Sequence, residues 1–140
     1  MCRLLGIVNK GKIETELFSN FKQQCKTGCV KSSHSEPGHS DGWGIAYKTQ
    51  GTMLIKKSGQ SATLDREFDQ ITTNALTSEL IIAHIRKASN PNTKGKIEFA
   101  HPFQKGDWVL AHNGAVYWRK EMAQNYSNLI LDKTLRKERT

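Results

Sequence analysis

Five short apolar runs of strand length, at residues 3–8, 43–48, 52–57, 79–85 and 108–112, set the outer limits on what this chain can fold into. Two stretches of helical spacing lie between them. In residues 15–26, Leu17, Phe18 and Phe21 fall on one side, and in residues 64–76 Leu64, Phe68, Ile71, Ala75 and Leu76 do the same. Strands therefore alternate with helices, and at 140 residues the chain has room for one modest domain that buries roughly two-thirds of its unfolded surface. Thr49-Gln50-Gly51, between two of the runs, outlines a hairpin. Residues 31–42 turn to Ser, Gly, Pro and His and read as a loop, as do residues 86–107. Runs 3–8 and 108–112 read as buried strands. Beyond Trp118 the pattern decays into a polar, partly helical tail over 119–140.

Charge narrows the partners. Lys and Arg number 21 against 13 Asp and Glu, a formal +8, which suits a nucleic acid, an anionic substrate or plain solubility. The basic residues are scattered rather than gathered, apart from Arg136-Lys137-Glu138-Arg139, so they read as solvated surface and no nucleic-acid partner is expected. The apolar run before Asn9-Lys10 is too short for a secretory signal, and no stretch approaches the ~20 apolar residues of a membrane helix. The expected location is cytoplasmic.

Three cysteines, Cys2, Cys25 and Cys29, do not suggest a disulfide framework, which leaves thiol or metal chemistry. Cys25, Cys29, His34 and His39 stand at a C-x3-C-x4-H-x4-H spacing, and two thiolates with two imidazoles would satisfy tetrahedral zinc in a knuckle that binds single-stranded RNA. That spacing is not the standard one, and no aromatic residue lies between the ligands to stack on a base. The preferred reading makes Cys25 and Cys29 buried, apolar-like residues one helical turn apart, and no metal or cofactor is expected.

Cys2 is the residue with the most chemistry. Removal of Met1, which the small side chain at position 2 permits, would leave a thiol and a free α-amine on one residue, so nucleophile and base need no second side chain. The amine's ordinary pKa, roughly 7.7–8.0, leaves a basic fraction near neutrality. Asn113-Gly114 follows the run at 108–112, where a side-chain amide and a glycine N–H can both aim at a developing oxyanion. Arg86 ends the run at 79–85, a position from which its planar fork can grip a carboxylate. Each has a plainer reading: a small residue opening a strand, a hairpin turn, a surface charge.

Taken together, five segments resemble the class II glutamine amidotransferases, and more narrowly their stand-alone amidotransferase-like hydrolases. They are Met1-Cys2-Arg3-Leu4-Leu5-Gly6, His39-Ser40-Asp41-Gly42-Trp43-Gly44-Ile45-Ala46, Ala83-His84-Ile85-Arg86-Lys87-Ala88, His101-Pro102-Phe103 and Ala111-His112-Asn113-Gly114. The resemblance implies an α+β fold, the αββα sandwich of N-terminal-nucleophile hydrolases. It also implies that Cys2 attacks the side-chain amide of glutamine or a γ-glutamyl compound. Arg86 would hold the substrate α-carboxylate, and Asn113 with Gly114 would form the oxyanion hole. The family's Thr-Asp-Ser-type motif, whose Asp binds the substrate α-ammonium, is absent, and Asp132 stands at the corresponding distance beside Lys133. Residues 1–118 thus resemble the first half of such an enzyme, followed by a divergent tail at 119–140. This leaves open an inactive, truncated chain or one that associates with another chain.

Overall fold

In a computed structural model, residues 2–30 and 37–114 are described, and the tail beyond them, Asp132 included, lies outside the described residues. Four strands, β1 (Arg3–Val8), β2 (Trp43–Thr49), β3 (Thr52–Ser58) and β4 (Leu80–Ile85), form one antiparallel sheet in the order β1-β4-β2-β3. Helices α1 (Thr15–Thr27) and α2 (Arg66–Ala75) connect them. A second, two-stranded sheet pairs β5 (Phe103–Lys105) with β6 (Trp108–Leu110). The fold is α+β, as expected. Among the described residues no helix is long and apolar enough to cross a membrane.

The period of two in each strand decides which face meets the helices. Register aligns Leu5 with Ala83 and Ile7 with Ile81 across β1 and β4, and Trp43, Ile45 and Tyr47 with Ile85, Ala83 and Ile81 across β2 and β4. The β2 and β4 side chains form one buried cluster with Phe18, Phe21 and Cys25 of α1 and Phe68, Ile71 and Ala75 of α2, and Leu5 and Ile7 pack against it half-buried. Trp43 meets Phe68 edge-on at 5.2 Å, and its indole N–H donates to Asp65 at 3.1 Å. Asp65 also accepts from Glu67 N–H, so one carboxylate caps α2 and anchors the core tryptophan. The β2–β3 turn places Gln50 and Gly51 at positive φ, the geometry a two-residue hairpin requires.

The opposite face of the sheet is covered at one end. His101 stacks on His84 there, and the backbone of His101 passes so close to Gly44 that a Cβ at this position would run into its carbonyl oxygen. Phe103 lies under the ammonium of Lys57 at 4.6 Å.

Three expectations are corrected. β1 is not a buried strand: among the described strands it ends the sheet, and its residues alternate, with Val8 87% exposed. The run at 108–112 shortens to Trp108–Leu110 and is not buried, with Trp108 83% exposed, because it pairs with β5 and no described layer packs over it. Cys25 is buried but Cys29 is exposed, since α1 stops at Thr27 and Gly28 turns the chain against the ring of His39.

Candidate active site

β1 and β4 bring the first residues of the chain to the segment that leaves the sheet. Arg3 is registered opposite Ile85, so Cys2 and Arg86 each lie one residue beyond the paired ends. The Cys2 thiol donates to the carbonyl of Lys87 at 3.6 Å. Its backbone N–H donates to Asn113 Oδ1 at 2.9 Å, joining residues 111 positions apart. With its oxygen engaged by Cys2 N, the amide of Asn113 keeps its NH2 as the donor end of the side chain. Gly114 follows at φ +153°, a conformation L side chains rarely adopt. Cys2, Asn113 and Gly114 are thus gathered at one place, half-buried or exposed.

The turn at 38–42 braces this corner. Asp41 N–H donates to Arg86 O at 2.9 Å, Arg86 N–H to Gly42 O at 2.8 Å, and Ala88 N–H to the Asp41 carboxylate at 2.8 Å. These contacts fix residues 86–88, and with them the carbonyl that meets the Cys2 thiol.

Arg86 itself is only 4% exposed. Its guanidinium donates to the carbonyl of Thr93 at 2.7 Å and to Thr93 Oγ1 at 2.6 Å, and lies 5.6 Å from the centre of the Phe99 ring. A substrate carboxylate approaching it must compete with the Thr93 oxygens. The sequence offered no signal for Thr93, which ends a single 3-10 turn, Pro91–Thr93, far from any apolar periodicity. Asp41 could have been found, because a carboxylate within a Gly-rich turn is a ready acceptor for backbone N–H groups.

A histidine group lies beneath the site. His84 is 1% exposed, and neither ring nitrogen has a hydrogen-bond partner among the described residues. Burial, then the neighbouring His101 and Arg86, depress its pKa to about 3. Burial and the nearby His112 depress that of His101 to about 4. Both rings are neutral near pH 7, with the cationic Arg86 close to each.

The described members of the zinc set, Cys25, Cys29 and His39, do not form a metal-binding group. Cys25 packs in the core, where burial pushes its thiol pKa up, His39 Nδ1 contacts Gln24 O at 3.1 Å, and His34 lies outside the described residues. Among the described residues no three His, Cys, Asp or Glu side chains are grouped so as to hold a metal ion.

The chain is similar to known proteins over most of its length. The family model "Glutamine amidotransferases class-II" matches residues 1–129. A Haemophilus influenzae protein named "Putative glutamine amidotransferase" is 32% identical over 130 residues, covering 90% of this chain and 41% of that protein. An uncharacterized protein of Methanocaldococcus jannaschii is 31% identical over 137 residues, 94% of this chain and 33% of that one. The gamma-glutamyl-hercynylcysteine sulfoxide hydrolase of Mycobacterium tuberculosis is 27% identical over 118 residues, 83% of this chain and 50% of that enzyme. The chain therefore spans half or less of the length of these relatives.

Proposed function

The chain belongs to the class II glutamine amidotransferases, and from that premise we propose that it hydrolyses the side-chain amide of glutamine, or the amide bond of a γ-glutamyl compound, through Cys2. The observation that carries this reading is the 2.9 Å hydrogen bond from Cys2 N to Asn113 Oδ1. It brings the residue that carries both the thiol and the prospective amine against the side chain proposed as oxyanion donor.

Removal of Met1 turns that nitrogen into an amine. The neutral amine takes the thiol proton, and the thiolate adds to the amide carbon. The oxyanion that forms meets Asn113 Nδ2 and the Gly114 N–H. On collapse the C–N bond breaks, the ammonium of Cys2 gives its proton to the leaving nitrogen, and ammonia or an amine departs. Water, deprotonated by the same amine, then cleaves the thioester and returns the thiol. Arg86 supplies a cation for the substrate α-carboxylate, and Asp132 is the proposed partner of the α-ammonium.

The fold supports the same reading. The four-stranded sheet carries α1 and α2 on one face, as one αβ half of the proposed αββα sandwich would, and His101 and Phe103, which leads β5, lie toward the opposite face. The proposed location is cytoplasmic.

The test is release of glutamate and ammonia from glutamine by the chain lacking Met1, with the Cys2→Ala chain as control. Equal release by both chains would overturn the assignment of Cys2.

A further inference from the structure

Asn113 has little to hold it. Residues 111–113 belong to no strand, and Asn113 is exposed, yet an oxyanion donor must be fixed within a fraction of an ångström to act. The restraint is visible one residue earlier, where the backbone N–H of His112 donates to His101 Nδ1 at 2.8 Å. His101 is itself immobilised on three sides. Its ring stacks on His84 with centroids 4.7 Å apart, Phe103 meets it edge-on at 4.6 Å, and its carbonyl oxygen occupies the space left open by Gly44.

We propose that His101 is a positioning residue: its Nδ1 holds the backbone of His112, and thereby sets Asn113 against Cys2 for oxyanion stabilisation. The inference rests on the amide-hydrolysis reading for its catalytic consequence, but its structural half stands without it. A ring nitrogen that accepts from an N–H carries no proton, so the working form is the neutral tautomer with the proton on Nε2. The surroundings favour that form. Lys57 of β3, Arg86 at the end of β4, and His112 all face the ring, and together with burial they oppose a positive charge on it. The stacked His84 is held neutral in the same way.

Two substitutions separate the acceptor from the bulk of the ring. In His101→Asn the side-chain oxygen can occupy the place of Nδ1 and accept from His112 N–H, whereas His101→Leu fills space and accepts nothing. With Met1 removed, Cys2 labelling by a glutamine-mimicking electrophile should slow by about tenfold or more in His101→Leu, within the range seen for loss of an oxyanion donor. Saturation should be reached at an unchanged electrophile concentration. His101→Asn should stay within about threefold of the parent. In parallel, hydrogen exchange of the His112 amide and the NMR resonances of the Asn113 side-chain amide should be retained in the parent and in His101→Asn and altered in His101→Leu. Equal slowing in both variants, or unchanged labelling in a His101→Leu chain that has lost His112 protection, would overturn the proposal. An unlabelled parent chain would defeat the hydrolase reading instead, and the two NMR readouts would still decide whether His101 places Asn113. Should His101→Leu fail to fold, His101→Asn decides alone: loss of His112 protection, or labelling slowed tenfold, overturns the role of the acceptor, and retention of both supports it.

Discussion

The carboxylate of Asp41 accepts the backbone N–H of Ala88 at 2.8 Å, tying the turn before β2 to the segment that follows β4. Two carbonyls matter in consequence. Arg86 O is held by Asp41 N–H, and Lys87 O lies where the Cys2 thiol donates. Cys2 is thus seated by backbone that Asp41 organises.

Cys2 should be the sole site of rapid labelling by a glutamine-mimicking electrophile, and only after Met1 is removed. Cys25 is buried with its thiol pKa raised, which lowers its thiolate fraction. Intact mass and peptide mapping read the outcome. Labelling of a chain that retains Met1, or equal labelling of Cys29, contradicts the role of the α-amine.

Arg86→Lys removes a planar fork that donates to two oxygens of Thr93. Glutamine affinity should fall by about 1.5–3 kcal/mol, the range for a hydrogen bond to a charged group, and the melting temperature should fall as well. Thr93→Val lowers the melting temperature but should not weaken glutamine binding. Titration calorimetry beside thermal melts compares the two. If neither variant binds glutamine less well than the parent, Arg86 serves the loop at 91–93 alone.

Acid should destabilise the fold through His84 and His101. Folding depresses their pKa values to about 3 and about 4 from the ordinary 6.5, so the unfolded chain binds more protons between those limits. Their contribution is fully present above pH 6.5 and is lost as the pH falls from there toward 4 and then 3. The slope is at most about 1.4 kcal/mol per pH unit for each ring. Urea unfolding at pH 7, 6 and 5 measures it. A double variant, His84→Gln with His101→Asn, should show a shallower dependence.

Gly44→Ala directs a methyl group into the carbonyl oxygen of His101, which is backbone and cannot swing aside. The expected cost is about 1–3 kcal/mol, read as a fall of several degrees in Tm. Because the displaced residue is His101, Cys2 labelling should slow as well. An unchanged melt would mean that the close approach relaxes without strain.

Local chemistry made much of the fold legible in the sequence. Gln50-Gly51 between two apolar runs marked the β2–β3 hairpin, and α2 announced itself by Phe68, Ile71 and Ala75 at helical spacing. The period of β1 was misread because an apolar run does not say whether both faces will be covered, and position in the sheet decides that. β6 failed for the same reason. Cys2, Asn113 and Gly114 could be named from their chemistry, and the structure brings Cys2 and Asn113 into hydrogen-bonding distance. The burial of Arg86 against Thr93, and the acceptor role of His101, depend on where loops return, and a one-dimensional pattern carries no such information.

Among the described strands β1 has β4 as its one neighbour, and it is β1 that presents Cys2. An edge strand can detach while the rest of the sheet keeps its ladder, so the corner opens by a sub-global route far below the free energy of complete unfolding. Re-forming it closes a contact across 111 positions, an entropic cost that grows only slowly with loop length but that no local contact repays in advance. The corner that presents Cys2 should therefore form late in folding. It is also an early loss on warming, and it should cease to react at temperatures where the helices still give a native circular-dichroism signal.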